Sequence, residues 1–205
     1  MNEPGGADPD IQYAYKASLL GAPWVLRLEP DALHWTGGGV SGRIPYAEIR
    51  QIRLAFRPVT MQSYRFLTEI WSERSPKIPI ASASWKSMLE QERLDEAYSR
   101  FVKALHARIA QAGGTPRLLA GAIPFLYWPG AAIFLGICLA MVALIGRAIA
   151  QGETGATLFL LGFFVVVLWQ LGMFFKRNLP RRYTLDAIPA DVLPKSKGAT
   201  GTKTP

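Results

Sequence analysis

Cysteine is nearly absent from this chain. Its 205 residues hold one, Cys138, so no disulfide can form within it. Cys138 lies inside an apolar run, where a catalytic thiolate would be costly to bury; it is expected to be a small residue facing lipid or a helix. Histidine is almost as scarce. His34 falls in an expected strand and His106 in an expected helix, and with no cysteine or second histidine beside either, a metal site has no support. The basic start and apolar run of a secretory signal are missing as well. The opening MNEPGGADPD is acidic and rich in Gly and Pro, and residues 1–12 are expected to be disordered. Finally, residues 118–146 and 154–175 hold no charged side chain at all.

Those two charge-free runs are the most informative feature. A bilayer core about 30 Å thick needs about 20 helical residues, and each run supplies them. Pro124 and Pro129 divide the first run, placing a linker and interfacial segment at 113–124 and a span at 125–147. The second span is expected at 155–176. The short stretch RAIAQGET between them suits a tight turn between antiparallel helices. Tyr127, Trp128 and Trp169 are of the type that collects at headgroup depth.

Charge then sets an expected orientation. The net +8 divides into 15 Lys/Arg against 12 Asp/Glu over residues 1–117 and 7 against 2 over residues 176–205. Lys176, Arg177, Arg181 and Arg182 flank the second span directly, whereas the turn carries one Arg and one Glu. By the positive-inside rule both termini, including a basic tail at 177–205, belong in the cytoplasm. A basic surplus beside a span favours anionic headgroups as the partner rather than nucleic acid. Neither run holds an ionisable residue, which speaks against transport. Ala132, Gly136 and Ala140 recur every fourth residue on one face of the first span. Small residues so spaced let helices approach closely; packing against the second span is the expected use, with a homo-oligomer as the alternative.

Residues 13–85 show the period-two alternation of antiparallel strands, as in Trp24, Leu26 and Leu28 against Val25, Arg27 and Glu29, or Ile52, Leu54 and Phe56 against Arg53, Ala55 and Arg57. After Trp85 the period changes. Ser87 and Glu90 fit a capping box, and Leu94, Tyr98, Phe101, Leu105 and Ile109 form one helical stripe ended by Gly113-Gly114. The fold class is therefore α+β: an antiparallel β-sheet or barrel over 13–112 closed by a C-terminal amphipathic helix, followed by a two-helix transmembrane hairpin. The WVLRLEPDALHW hairpin, the RIPYAEIRQIRL segment with its Ile44-Pro45…Ile49 spacing, the Ser-Pro-Lys-Ile-Pro-Ile strand and the closing helix together resemble the bacterial pleckstrin-homology-like (PH-like) domains that are often attached to membrane spans. The resemblance covers roughly residues 13–112 and implies a fold and a binding role rather than a chemistry.

Gly37-Gly38-Gly39-Val40-Ser41-Gly42 matches the dinucleotide fingerprint literally. However, the extended Arg43-Ile44-Pro45 follows it where that fingerprint requires a helix, so it reads as a hairpin turn. No enzyme signature and no cofactor site emerges. Arg43, Arg50, Arg53, Arg57 and Arg65 form a candidate basic patch for lipid or partner contact, weighed against an ordinary solvated strand face. In the tail, residues 183–194 carry Tyr183, Leu185, Ile188, Val192 and Leu193, and are expected to dock on the β domain or on the bilayer.

The function expected is a non-enzymatic binding or scaffold module in a bacterial inner membrane, contacting headgroups or a membrane-protein partner. The alternatives are an accessory subunit of a transporter or envelope complex, and a membrane-bound enzyme. The membrane reading has a direct check: the full-length chain should sediment with membranes and stay there through alkaline carbonate, and recovery in the carbonate supernatant would refute it.

Overall fold

The computed structural model describes residues 11–58, 64–87 and 90–194. The chain forms two compact units: the residues up to Leu119 together with those from Arg182 onward, and Ala120–Arg181 between them. In chain order the elements are β1 (Ile11–Tyr15), β2 (Trp24–Leu28), β3 (Ala32–Gly37), β4 (Val40–Pro45), β5 (Ile49–Pro58), β6 (Tyr64–Ser72), β7 (Ile78–Ala81), β8 (Ala83–Trp85), β9 (Gln91–Arg93), α1 (Asp95–Gln111), β10 (Arg117–Ala120), α2 (Pro124–Ala150), α3 (Thr154–Arg177) and β11 (Arg181–Arg182).

The first unit is α+β with antiparallel sheets. One sheet runs β1-β2-β3-β4, a second runs β11-β10-β5-β6-β7, and β8-β9 is a separate ribbon. The barrel allowed for by the sequence is not closed: no closed barrel is found among the described residues. Pro45 at the end of β4 has no N–H to donate to a ladder, and the 3-10 turn Tyr46–Glu48 redirects the chain before β5 begins. So β4 ends one sheet and β7 ends the other.

Period-two patterning decides which faces meet. Tyr13, Tyr15, Leu26, Leu28, Leu33, Trp35 and Ile44 are buried on the inner face of the first sheet, and Ile52, Leu54, Ile70, Ile78 and Ile80 in the second. Trp24 and Trp35 stack with ring centroids 5.9 Å apart. Gly37 makes room for them, since a Cβ there would overlap the Trp24 ring. In α1, Tyr98, Phe101, Leu105 and Ile109 are all buried, as their spacing requires, and Val102 and His106 join them. The Tyr98 hydroxyl lies 2.6 Å from that of Thr68 on β6, tying the helix to the sheet.

The helix starts later than a Ser87 capping box would give. The Ser87 and Glu90 backbones bond each other across a turn, Trp85 pairs with Gln91, and α1 begins after Leu94 without a side-chain cap. Pairing of β8 with β9 takes up the backbone donors that the cap would have satisfied. Asp95 and Glu96 still occupy the first turn and Arg108 the last, as the helix dipole favours.

The tail from Arg182 belongs to this unit, and residues 183–194 pack on it. Val192 and Leu193 are buried, and the 3-10 turn Ala190–Val192 lies against β5. Tyr183 is the anchor: its hydroxyl is 2.9 Å from Nε2 of His106, while His106 Nδ1 is 2.7 Å from the Val102 carbonyl oxygen. A carbonyl can only accept, so Nδ1 carries the proton and Nε2 accepts from Tyr183. Residues 195–205 lie outside the described residues, as do 1–10 of the expected disordered segment.

In the second unit, α2 and α3 form an antiparallel pair with α2 starting at Pro124, where a missing N–H costs nothing. Pro129 sits within α2 rather than ending it. At 1.5 Å per residue the helices are about 40 and 36 Å long, and both are long and apolar enough to cross a membrane. Only 17% and 0% of their most apolar windows are buried. They meet along a seam of period 3.5 that includes Phe134, Cys138, Met141, Ile145 and Ala148 on α2. The Ala132, Gly136 and Ala140 stripe is not part of it: all three residues are exposed, and a Cβ on Gly136 would meet nothing. Larger side chains at heptad spacing carry the seam, which turns the small residues away from α3. Gly121 takes φ +88°, and a Cβ there would strike the Leu179 carbonyl, so glycine is needed where the base of the hairpin closes.

Burial lowers the His106 pKa below its ordinary value of 6.5. The unfolded chain therefore binds the proton first as pH falls. Stability should be full above about pH 6.5 and decline below it, and His106→Gln should flatten that decline in denaturant titrations followed by tryptophan emission. Tyr183→Phe should cost about 1 kcal/mol through the lost hydrogen bond.

Candidate functional site

The five arginines of the candidate basic patch separate into two groups. Arg43 on β4 bonds Asp31 at 2.5 Å and Glu29 at 3.4 Å. The hydrogen bond to Arg43 holds the Asp31 carboxyl below its usual range, and the bond to Asp31 raises Arg43. Arg50 pairs with Glu73. Arg53 stands opposite Glu69 in the β5–β6 ladder and 5.6 Å over the Trp71 ring. Those three arginines are occupied by carboxylates or an aromatic face.

Arg57 and Arg65 are not. They sit directly opposite each other in the β5–β6 register, one pair before the loop that joins the strands. Residues directly opposite in an antiparallel ladder have Cβ atoms about 5 Å apart, and like charges there are destabilising. Among the described residues neither makes an ion pair, and Nε of Arg65 is buried without a hydrogen-bond partner.

The tertiary fold adds a third cation that the linear sequence does not connect with them. Ser82 Oγ accepts from the Phe66 backbone at 2.9 Å, Ser84 Oγ accepts from the Lys16 backbone at 3.0 Å, and the Trp85 N–H reaches the Lys16 carbonyl at 3.2 Å. Lys16 and Arg65 therefore gather at one end of the sheets, while Lys86 beside them pairs with Glu92. The same end carries the β1–β2 loop, whose Leu20 is 102% exposed and Leu19 39%, with Val40 at 58% on the adjoining β3–β4 turn. That turn, Gly38-Gly39, takes φ +62° and +80° and joins two strands, so the glycine run is a hairpin with no helix to face a pyrophosphate. Leu19 and Leu20 were not singled out by sequence reading; a Leu-Leu pair flanked by Ala, Ser, Gly and Pro breaks the alternation, and that break was the available signal.

The remaining sequence-selected residues lie on or beside the helices. Trp128 and Trp169 are exposed on the helix surfaces, Trp169 about 12 Å before the end of α3. Tyr127 is half-buried against Phe175, with centroids 5.6 Å apart and its hydroxyl 3.3 Å from the Phe175 carbonyl. Lys176 and Arg177 end α3, and Arg181 and Arg182 form β11. Among the described residues no group of three or more His, Cys, Asp or Glu is placed to hold a metal. Comparison with family models, with curated proteins and with solved structures finds no match.

The repulsion between Arg57 and Arg65 is measurable. Replacing Arg57→Glu turns a like-charge pair into an opposite-charge pair and should raise stability by about 0.5 kcal/mol. A denaturant midpoint that falls instead would show that the two guanidinium groups do not oppose each other.

Proposed function

We propose that this chain is a two-pass protein of a bacterial cytoplasmic membrane, both termini cytoplasmic, whose PH-like β domain binds anionic lipid headgroups and does no catalysis. Four basic residues at 176–182 against one in the turn support that orientation. Two apolar helices with most of their surface outward support membrane attachment. Of the nine strands in the two sheets, seven precede α1, with the β8–β9 ribbon between them and the helix, and this order supports the PH-like resemblance.

The observation that carries the headgroup reading is the Arg57–Arg65 pair without a counter-ion. Two arginines directly opposite in a ladder can turn their guanidinium groups onto one phosphate, whose oxygens accept their forked donors and whose charge relieves the repulsion. Lys16 adds charge, and the exposed Leu19-Leu20 tip supplies the apolar contact that turns weak electrostatic attraction into stable surface binding.

The test uses the full chain reconstituted in vesicles of neutral phosphatidylcholine or of phosphatidylcholine with phosphatidylglycerol. Amide hydrogen exchange at residues 16–23 and 64–66 should slow in the anionic vesicles. At about 1 kcal/mol per surface cation, Arg57→Gln with Arg65→Gln should weaken that protection roughly thirtyfold. Equal exchange in both vesicle types would refute headgroup contact.

A further inference from the structure

The docked tail does not close completely onto α1. Tyr183 seats one end of residues 183–194 on His106, and Val192 and Leu193 are buried at the other. Between the tail and the helix lies a cavity of about 530 Å³. Small-molecule sites generally occupy about 300 to 1,000 Å³. Both walls belong to the same unit of the chain, and they differ in chemistry. The tail contributes apolar groups alone, among them Ile188, Leu193 and Pro194, while α1 contributes every polar one.

That polar wall is left without partners. Arg43, Arg50, Arg74, Lys77, Lys86 and Arg93 each hold a carboxylate, but among the described residues Arg100 and Lys103 of the wall hold none. Glu96, the one acid of the lining, stands four residues before Arg100, the spacing at which such pairs form on a helix. It too makes no ion pair among the described residues. Asp186 and Asp191 of the tail do not line the cavity, so two positive groups face it against one negative. Ser99 lies in the same wall, and its Oγ is buried with no hydrogen-bond partner among the described residues. A buried hydroxyl in that condition is uncommon.

We infer that this cavity binds a small amphipathic anion, an alkyl or aryl phosphate or carboxylate, with its charged group on Arg100 and Lys103 and its apolar body along the tail. Residues three apart are neighbours on a helix surface, so one anion accepts from the guanidinium fork and from the ammonium together. The Ser99 hydroxyl, adjacent in the chain to Arg100, donates to a further oxygen. The body of the ligand covers Ile188, Leu193 and Pro194, and removing that apolar surface from water favours binding. Glu96 lies about 6 Å along the helix from Arg100 and repels a second negative group there, which selects ligands charged at one end only. The cavity shares no residue with the Arg57–Arg65 pair, so each reading stands or falls without the other.

The probe is 2-naphthyl phosphate, titrated onto the full-length chain in nanodiscs of neutral phosphatidylcholine and followed by amide hydrogen exchange. Exchange should slow at residues 96–103 and 188–193 and reach saturation. Inorganic phosphate, which lacks the apolar body, and 2-naphthol, which lacks the charge, should need concentrations at least tenfold higher. Arg100→Gln and Lys103→Gln alter exposed side chains, where folding is not at issue. Each should weaken the probe by about tenfold, as loss of a charge-assisted hydrogen bond does, while Arg57→Gln leaves it unchanged. Nanodiscs that contain phosphatidylglycerol separate the two sources of such an anion. Protection of the same residues by that lipid without probe assigns the site to a headgroup, and protection by the probe alone assigns it to a soluble ligand. No slowing by the probe, equal binding of 2-naphthol, or binding by Arg100→Gln within roughly twofold of the unaltered chain would each overturn the inference. So would binding that requires removal of residues 1–10, because Glu3, Asp8 and Asp10 would then be the occupants.

Discussion

Two helices that are long and apolar enough to cross a membrane, with little of that surface buried, set the path of the rest of the chain. Hydrocarbon offers no hydrogen bonds to a backbone, so a segment lying in it must satisfy its own donors, and a helix does so residue by residue. Because α2 and α3 are antiparallel and joined by a short turn, the chain leaves the β domain at Leu119 and re-enters it at Arg182. That return makes the docked tail possible. Tyr183 reaches His106 across 77 positions of sequence, a loop whose closure entropy is offset because the helix pair holds its ends together.

Within the β domain, electrostatics sorts residues that look alike in the sequence. Arg43, Arg50 and Arg53 each find a carboxylate or an aromatic ring across the sheet, and they contribute to the fold as ordinary surface pairs do, weakly. Arg57 and Arg65 face one another and oppose the fold to which they belong. Like charges so placed cost a little stability, and the headgroup site proposed for them is of the kind that conflicts with folding.

Two local signals were overruled by competing contacts. Ser87 and Glu90 have the spacing of a capping box, yet the ribbon of β8 and β9 takes their backbone groups. The Ala132, Gly136 and Ala140 stripe has the spacing for close helix packing, yet the seam with α3 forms on the neighbouring face, where Phe134, Met141 and Ile145 interlock. Both signals are real local preferences. Each lost because a larger set of contacts could form in only one arrangement.

Run length and periodicity are properties of consecutive residues, so the sequence alone determined the two long apolar helices, the alternating strands, the buried stripe of α1 and the glycine hairpin. It also determined that Arg57 points to the opposite face from Phe56. Which residue lies across from which depends on register and strand order, and those are settled only when the whole domain packs. The meeting of Arg57 with Arg65, the gathering of Lys16 beside them, the seating of Tyr183 on His106 and the position of β4 at an edge were therefore decided by the tertiary structure. Each is a contact between segments that no local pattern of residues brings together.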